Sequence, residues 1–205
     1  MPDAEEIIQG LFMITNAYTW AAIAWHAFIY LLIAALILKW KPSNRTLSVL
    51  LTLPLLTVSI FAWITGNPFN GSLFLVFAIL LIILGLGNPE SVVDTGHTWS
   101  TVMGILILIF GLLYPHFLDT ENYFTYLYAA PTGLIPCPTL SVIIGFAILF
   151  KGFQSRAWAW VLVIPGLIYG LIGTFRLQVF LDMVLLLATV ILILTTFRLP
   201  KKQIP

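Results

Sequence analysis

Few side chains in this chain are suited to chemistry. There is one cysteine, Cys137, and three histidines, of which His26 and His116 fall among apolar residues. One acid, Asp182, lies inside an apolar run, with Arg176 shortly before it. Cysteine and histidine together are soft to borderline ligands and suit copper or zinc. A thiol with a histidine elsewhere in the chain is also the minimum for a thiol enzyme. The spacing gives no CxxC, HxxxH or HExxH pattern, and there is no Gly-rich phosphate loop or nucleophile elbow. Each group has a plainer reading beside the chemical one. Cys137 could be a small buried hydrophobe. His26 could hydrogen-bond a neighbouring helix, and Asp182 could pair with Arg176 to hold a turn.

Cys137 belongs to the stretch Tyr128-Ala-Ala-Pro-Thr-Gly-Leu-Ile-Pro-Cys-Pro-Thr139, where Pro131, Gly133, Pro136 and Pro138 crowd together. Proline lacks an N–H and clashes with the preceding turn, so no regular helix runs through. Pro138 and Thr139 are compatible with the first turn of a helix that starts there. The stretch reads either as a loop dipping into a protein-lined cavity or as a plain extramembrane turn. Irregular backbone at membrane depth survives only where protein or water covers it.

The elements around it are set by composition. The 205 residues are 60% hydrophobic and 8% charged, against roughly a quarter charged in a soluble domain. Apolar runs of about twenty residues recur. The reading is an all-α integral membrane protein, one transmembrane domain over 1–205. A net charge of +1 without a basic stripe excludes nucleic acid as a partner. The first apolar segment has no basic start and reads as a retained helix, not a cleaved signal.

In order, residues 5–16 form an interfacial helix with Ile7, Ile8, Leu11, Phe12 and Ile14 on one face. Spans follow at 17–38, 46–64 with a kink at Pro54, 72–86 after a turn at 66–71, and 98–114. An aromatic belt occupies 117–127. The run 140–150 gives only about 16 Å of helix against about 30 Å of hydrocarbon. Residues from Tyr123 onward must complete that crossing, which makes it a discontinuous helix. The last spans are 157–173, containing Pro165, and 177–197.

Seven crossings with the N-terminus outside put Lys39, Lys41, Arg45, Lys151, Arg156, Arg198, Lys201 and Lys202 in the cytoplasm, with the C-terminus. Only Arg176 falls outside. This topology puts His116, Cys137, Asp182 and His26 in the outer half, His26 about 12 Å deep. Ionisable groups at such depth face protein or water and are site candidates. Gly166, Gly170 and Gly173 offer close helix packing, within the bundle or between copies.

At Pro131-Thr132 and Pro136-Cys137-Pro138-Thr139 the chain resembles an uncharacterised family of small bacterial multi-pass membrane proteins with a Pro-Cys-Pro-Thr signature. Asn16, Trp20, Val161–Pro165, 171–173 and Asp182 extend the resemblance along nearly the whole chain. In that family a histidine precedes the Tyr-Pro of the outer loop, whereas here His116 follows Tyr114-Pro115. The resemblance implies the architecture and a bacterial inner membrane, and no activity. A shorter similarity, at 133–138, is to nickel/cobalt exporters, without their histidine-rich helix.

The lead expectation is a bundle whose broken helix builds an outward-facing cavity, binding or moving a small solute or a metal ion. The alternative is an accessory subunit of a larger membrane complex, its seven Trp, seven Tyr and fifteen Phe facing lipid, pigment or a partner. An integral membrane enzyme is the third.

Overall fold

The computed structural model describes residues 3–199, in which the regular elements are all helices and there is no strand. Lys201 and Lys202, used above for orientation, lie outside the described residues. The helices are α1 (Ala4–Ala17), α2 (Thr19–Ile37), α3 (Asn44–Ile64), α4 (Pro68–Leu86), α5 (Thr98–Leu113), α6 (Tyr126–Ala129), α7 (Pro136–Leu149), α8 (Arg156–Leu171) and α9 (Asp182–Phe197). Four are long and apolar enough to cross a membrane: α2, α3, α4 and α8 with its extension to Arg176. Three shorter apolar helices, α5, α7 and α9, accompany them.

α1 begins with a capping box. Asp3 Oδ1 accepts from the Glu6 N–H at 2.8 Å, and Glu6 Oε2 accepts from the Asp3 N–H at 3.2 Å. Ile7, Ile8, Leu11 and Ile14 pack inward as their spacing predicts, but Phe12 is exposed. α4 starts inside the segment expected to be a turn. Pro68 takes the first helical position, where its missing N–H is harmless, and Asn67 Oδ1 caps it by accepting from the Asn70 N–H at 3.0 Å. α9 begins at Asp182 and not at 177. Before it, the end of α8 widens into a π-turn, Ile172–Arg176.

α7 is the hub. From Pro138 to Ile148 every residue is buried, so the helix is apolar on all sides and shows no lipid-facing stripe. α3, α5, α8 and α9 surround it. It starts at Pro136, four residues earlier than expected, and its fourteen residues still span only about 21 Å. Glycines bring α5 against it. A Cβ at Gly104 would meet the Gly145 carbonyl at 2.8 Å, one at Gly111 the Val142 nitrogen at 2.8 Å, and one at Gly145 the Leu108 nitrogen at 2.7 Å. Gly166 and Gly170 do the same for α8 against α9, facing Thr189 and Leu186. The Gly-xxx-Gly pair therefore packs inside the bundle.

Between α6 and α7, residues 130–135 leave helical geometry, and much of their backbone finds partners within the protein. The Gly133 N–H donates to Thr139 Oγ1 at 2.8 Å, and Thr139 Oγ1 donates to the Ile135 carbonyl at 2.7 Å. Thr57 Oγ1 donates to the Gly133 carbonyl at 2.7 Å. The Pro131 carbonyl accepts from the Leu134 and Ile135 N–H groups. Thr132 Oγ1 reaches back to the Gly111 carbonyl at 3.1 Å. Threonine hydroxyls thus stand in for the missing helical bonds, as apolar surroundings demand.

The loops segregate to two ends. At one, Arg45 pairs with Glu90 and Lys151 with Asp94, each at 2.5 Å, and Arg156 Nη2 donates to the carbonyls of Phe197 and Leu199. The Lys151 ammonium holds the exposed Asp94 carboxyl below the usual carboxylate range. Lys39, Lys41 and Arg198 share this end, whereas Arg176 lies at the other. The link from α7 to α8 is left-handed at four successive residues, Lys151 to Gln154 (φ 53° to 58°), and is pinned by Phe153, which is fully buried against Trp158.

Gly133 sits at φ +80°, and a Cβ there would run into the Trp25 ring. Gly133→Ala is expected to destabilise the protein by about 1–3 kcal/mol, read as a lower unfolding midpoint in detergent. Adding Trp25→Leu should recover the steric part and leave the backbone strain.

Candidate functional site

Three elements converge at the end of the bundle that carries Arg176. α5 stops at Leu113 because Pro115 follows, and this leaves Tyr114 as the first residue off the helix. α7 begins at Pro136, which puts Cys137 in its first turn. α9 begins with Asp182 itself, positioned by its N–H bond to the Val179 carbonyl and by Val179 N–H to Gly173. Tyr114 Oη donates to Asp182 Oδ1 at 2.7 Å, and Cys137 Sγ donates to Asp182 Oδ2 at 3.2 Å. Asp182 is 2% exposed and Tyr114 is fully buried, while Cys137 is half-buried.

The ion pairs Arg45–Glu90 and Lys151–Asp94 lie at the opposite end of the bundle. Asp182 is buried, and Arg176 is exposed beyond the π-turn. The carboxyl group is met by two donors and by the positive ends of α7 and α9, in whose first turns Cys137 and Asp182 lie. Gly173 lets the carboxylate seat, since a Cβ there would overlap it.

The other candidates lie apart from this cluster. His116 is half-buried with its ring edge-on to Phe117, centroids 4.2 Å apart. His26 is 1% exposed and fastens α2 to the last turn of α5, its two ring nitrogens each 2.9 Å from the carbonyls of Ala22 and Leu112. Pro131, Pro136, Pro138 and Thr139 shape the break. Among the described residues no three His, Cys, Asp or Glu side chains gather as a metal site. Cys137 and Asp182 alone would offer two donors already bonded to one another.

A cleft of about 340 Å³ opens beside the break. One wall is α1, through Glu6, Ile7, Gly10, Leu11 and Ile14; opposite are Val58 and Ala62 of α3, the link 65–67 and the first turn of α4. Leu134 and Pro136 close it, and Cys137 is the next residue along the chain. Asn70, also in the wall, accepts a hydrogen bond from Tyr169 Oη at 2.8 Å. A Cβ at Gly10 would meet nothing within 4 Å. Tyr114, Asn70 and the α1 wall were not singled out from the sequence. The one signal for Tyr114 is complementarity: a buried phenol needs an acceptor and a buried carboxylate needs donors.

Compared with protein-family models, curated proteins and solved structures, the chain gives no match.

Tyr114→Phe leaves the buried Asp182 carboxyl without one of its donors and is expected to cost about 1–3 kcal/mol, whereas Phe110→Leu nearby should cost less; chemical denaturation in micelles reads both. His116 gives a pH prediction. Burial pushes its imidazole below its ordinary 6.5, so as pH falls the unfolded chain takes up the proton first. Stability linked to His116 is therefore lost as pH falls through 6.5, and His116→Phe should flatten that part of the pH–stability curve.

Proposed function

We propose that this chain is a seven-crossing membrane protein that binds a small solute in an outward-facing cleft beside its broken helix. In this reading the N-terminus is outside and the C-terminus is cytoplasmic. The observation that carries it is the junction of cleft and cluster: Leu134 and Pro136 line the cleft, and Cys137, immediately after, bonds the buried Asp182. Such a volume lies near the low end of small-ligand pockets, roughly 300–1,000 Å³. The orientation is supported by the basic residues, Lys39, Lys41, Arg45, Lys151, Arg156 and Arg198 at one end against Arg176 at the other. Crossings by the short helices α5, α7 and α9 are supported by the alternation of loops between the two ends. Kinship with the Pro-Cys-Pro-Thr family belongs to the same proposal and supplies no activity.

The solute reading is preferred to a resident metal, because the polar cluster offers two ligating side chains and a phenol. A second reading, an accessory subunit, is favoured by one feature. An apolar groove of about 480 Å³ runs between Phe110, Leu113, Pro115, Tyr126 and Leu127, beside Tyr123 and Phe124, which are 83% and 73% exposed. A partner helix or lipid would cover it.

The test uses the single cysteine. A small membrane-impermeant thiol reagent added to the outer face of intact membranes should label Cys137 in the folded protein. Labelling only after denaturation, together with unchanged behaviour of Cys137→Ala, would remove Cys137 from any solute-accessible site and contradict the reading.

A further inference from the structure

We infer that the cleft takes an amphipathic organic cation, an ammonium group joined to a compact apolar body and carrying one hydrogen-bond acceptor. The inference rests on the cleft reading above and names its ligand class. Three features of the lining carry it. Among the described residues, Glu6 is the only charged one that lines the cleft, and no Lys, Arg or His does. Glu5 and the capping Asp3 share its turn of α1, so the mouth is acidic. Glu6 uses one carboxylate oxygen on the Asp3 N–H, which leaves the other to face a cation.

Most of the wall is apolar, with Ile7, Leu11, Ile14, Val58, Phe69 and Leu134 providing surface for a hydrophobic body. The Asn67 and Asn70 carbonyl oxygens are already occupied, by the Asn70 N–H and by Tyr169 Oη. Their amide N–H groups remain as donors, which suits a hydroxyl or ether on the ligand. Behind Pro136, the Asp182 carboxylate adds negative potential of the same sign. An anion would meet the Glu6 carboxylate and, among the described lining residues, no Lys, Arg or His.

Gly10 provides the control. The space above it is open, so a large side chain there can occupy the cleft without displacing the wall.

Three probes share a 4-hydroxyphenyl body: the (4-hydroxyphenyl)trimethylammonium cation, its uncharged isostere 4-tert-butylphenol, and the anion 4-hydroxybenzenesulfonate. Binding to the purified full chain is measured by calorimetry and by the shift of the unfolding midpoint. The cation is expected to bind about fivefold tighter than the isostere, with the margin narrowing as salt is raised, and the anion is expected not to bind. Glu6→Gln, which preserves the capping box, should erase most of the margin, and Gly10→Trp should abolish binding of cation and isostere alike. Equal binding of cation and isostere, both lost in Gly10→Trp, would overturn the cation assignment and leave the cleft reading standing. Tighter binding of the anion, no binding by any probe, or cation binding that survives Gly10→Trp would also overturn it. The cleft reading itself fails separately, if Cys137 cannot be labelled from outside.

Discussion

A carboxyl group buried in apolar surroundings must find its hydrogen-bond partners within the protein, and Asp182 draws those partners from the helices that meet at it. Leaving such a buried polar group unpartnered would cost about 1–3 kcal/mol. The solution draws on three helices at once. α5 must end where Tyr114 can turn inward, and Pro115 ends it. α7 must begin, not pass through, at the depth of the carboxylate, and the prolines start it there. α9 must present Asp182 in its first turn, and the π-turn with Gly173 sets that register. The break in the chain, the start of α7 and the wide turn after α8 all meet at this one carboxyl group.

The same geometry accounts for the packing. A central helix surrounded by other helices has no lipid face, so it need not match the membrane in length. Its neighbours can close around it only where side chains are small, hence Gly104 and Gly111 on α5 facing Gly145 on α7. Threonines at the break replace backbone partners that prolines removed. α1 packs across the resulting end, its inward face joining Phe61, Tyr114, Leu134 and Ile135 in one apolar cluster, and the cleft is the space left between this helix and the break.

Much of the helical order was legible in the sequence, because apolar runs bounded by Pro, Gly and charge carry it: α2, α3, α5 and the amphipathic α1 fall within a few residues of expectation. That regular helix is lost in this stretch was legible for the same reason, since proline chemistry is local, but the loss was expected over Pro131 to Pro138 and α7 already begins at Pro136. Boundaries set by tertiary contacts were not. Pro68 could have been a turn residue or a helix start, and only the Asn67 cap decides it. Asp182 is read from sequence as lying inside an apolar run, but the π-turn shortens α9 and makes it the first residue. The left-handed link at 151–154 has no local signature apart from Gly152, and it depends on Phe153 reaching the core. In the site, Cys137 and Asp182 stood out as rare polar groups, while Tyr114 did not, because tyrosine near a membrane surface is commonplace. His116 stood out by type and yet lies apart, since sequence carries no information on which way a loop residue turns.

Because Cys137 is the only cysteine, its S–H stretch is a single infrared band that reports the donor side of the central interaction. In the folded protein the account predicts a band shifted to low frequency by donation to Asp182, moving toward the free-thiol position in Asp182→Asn while Tyr114→Phe shifts it further down as the carboxylate loses its other donor. A band at the free-thiol position in the unmodified protein, unmoved by Asp182→Asn, would contradict the account at its centre.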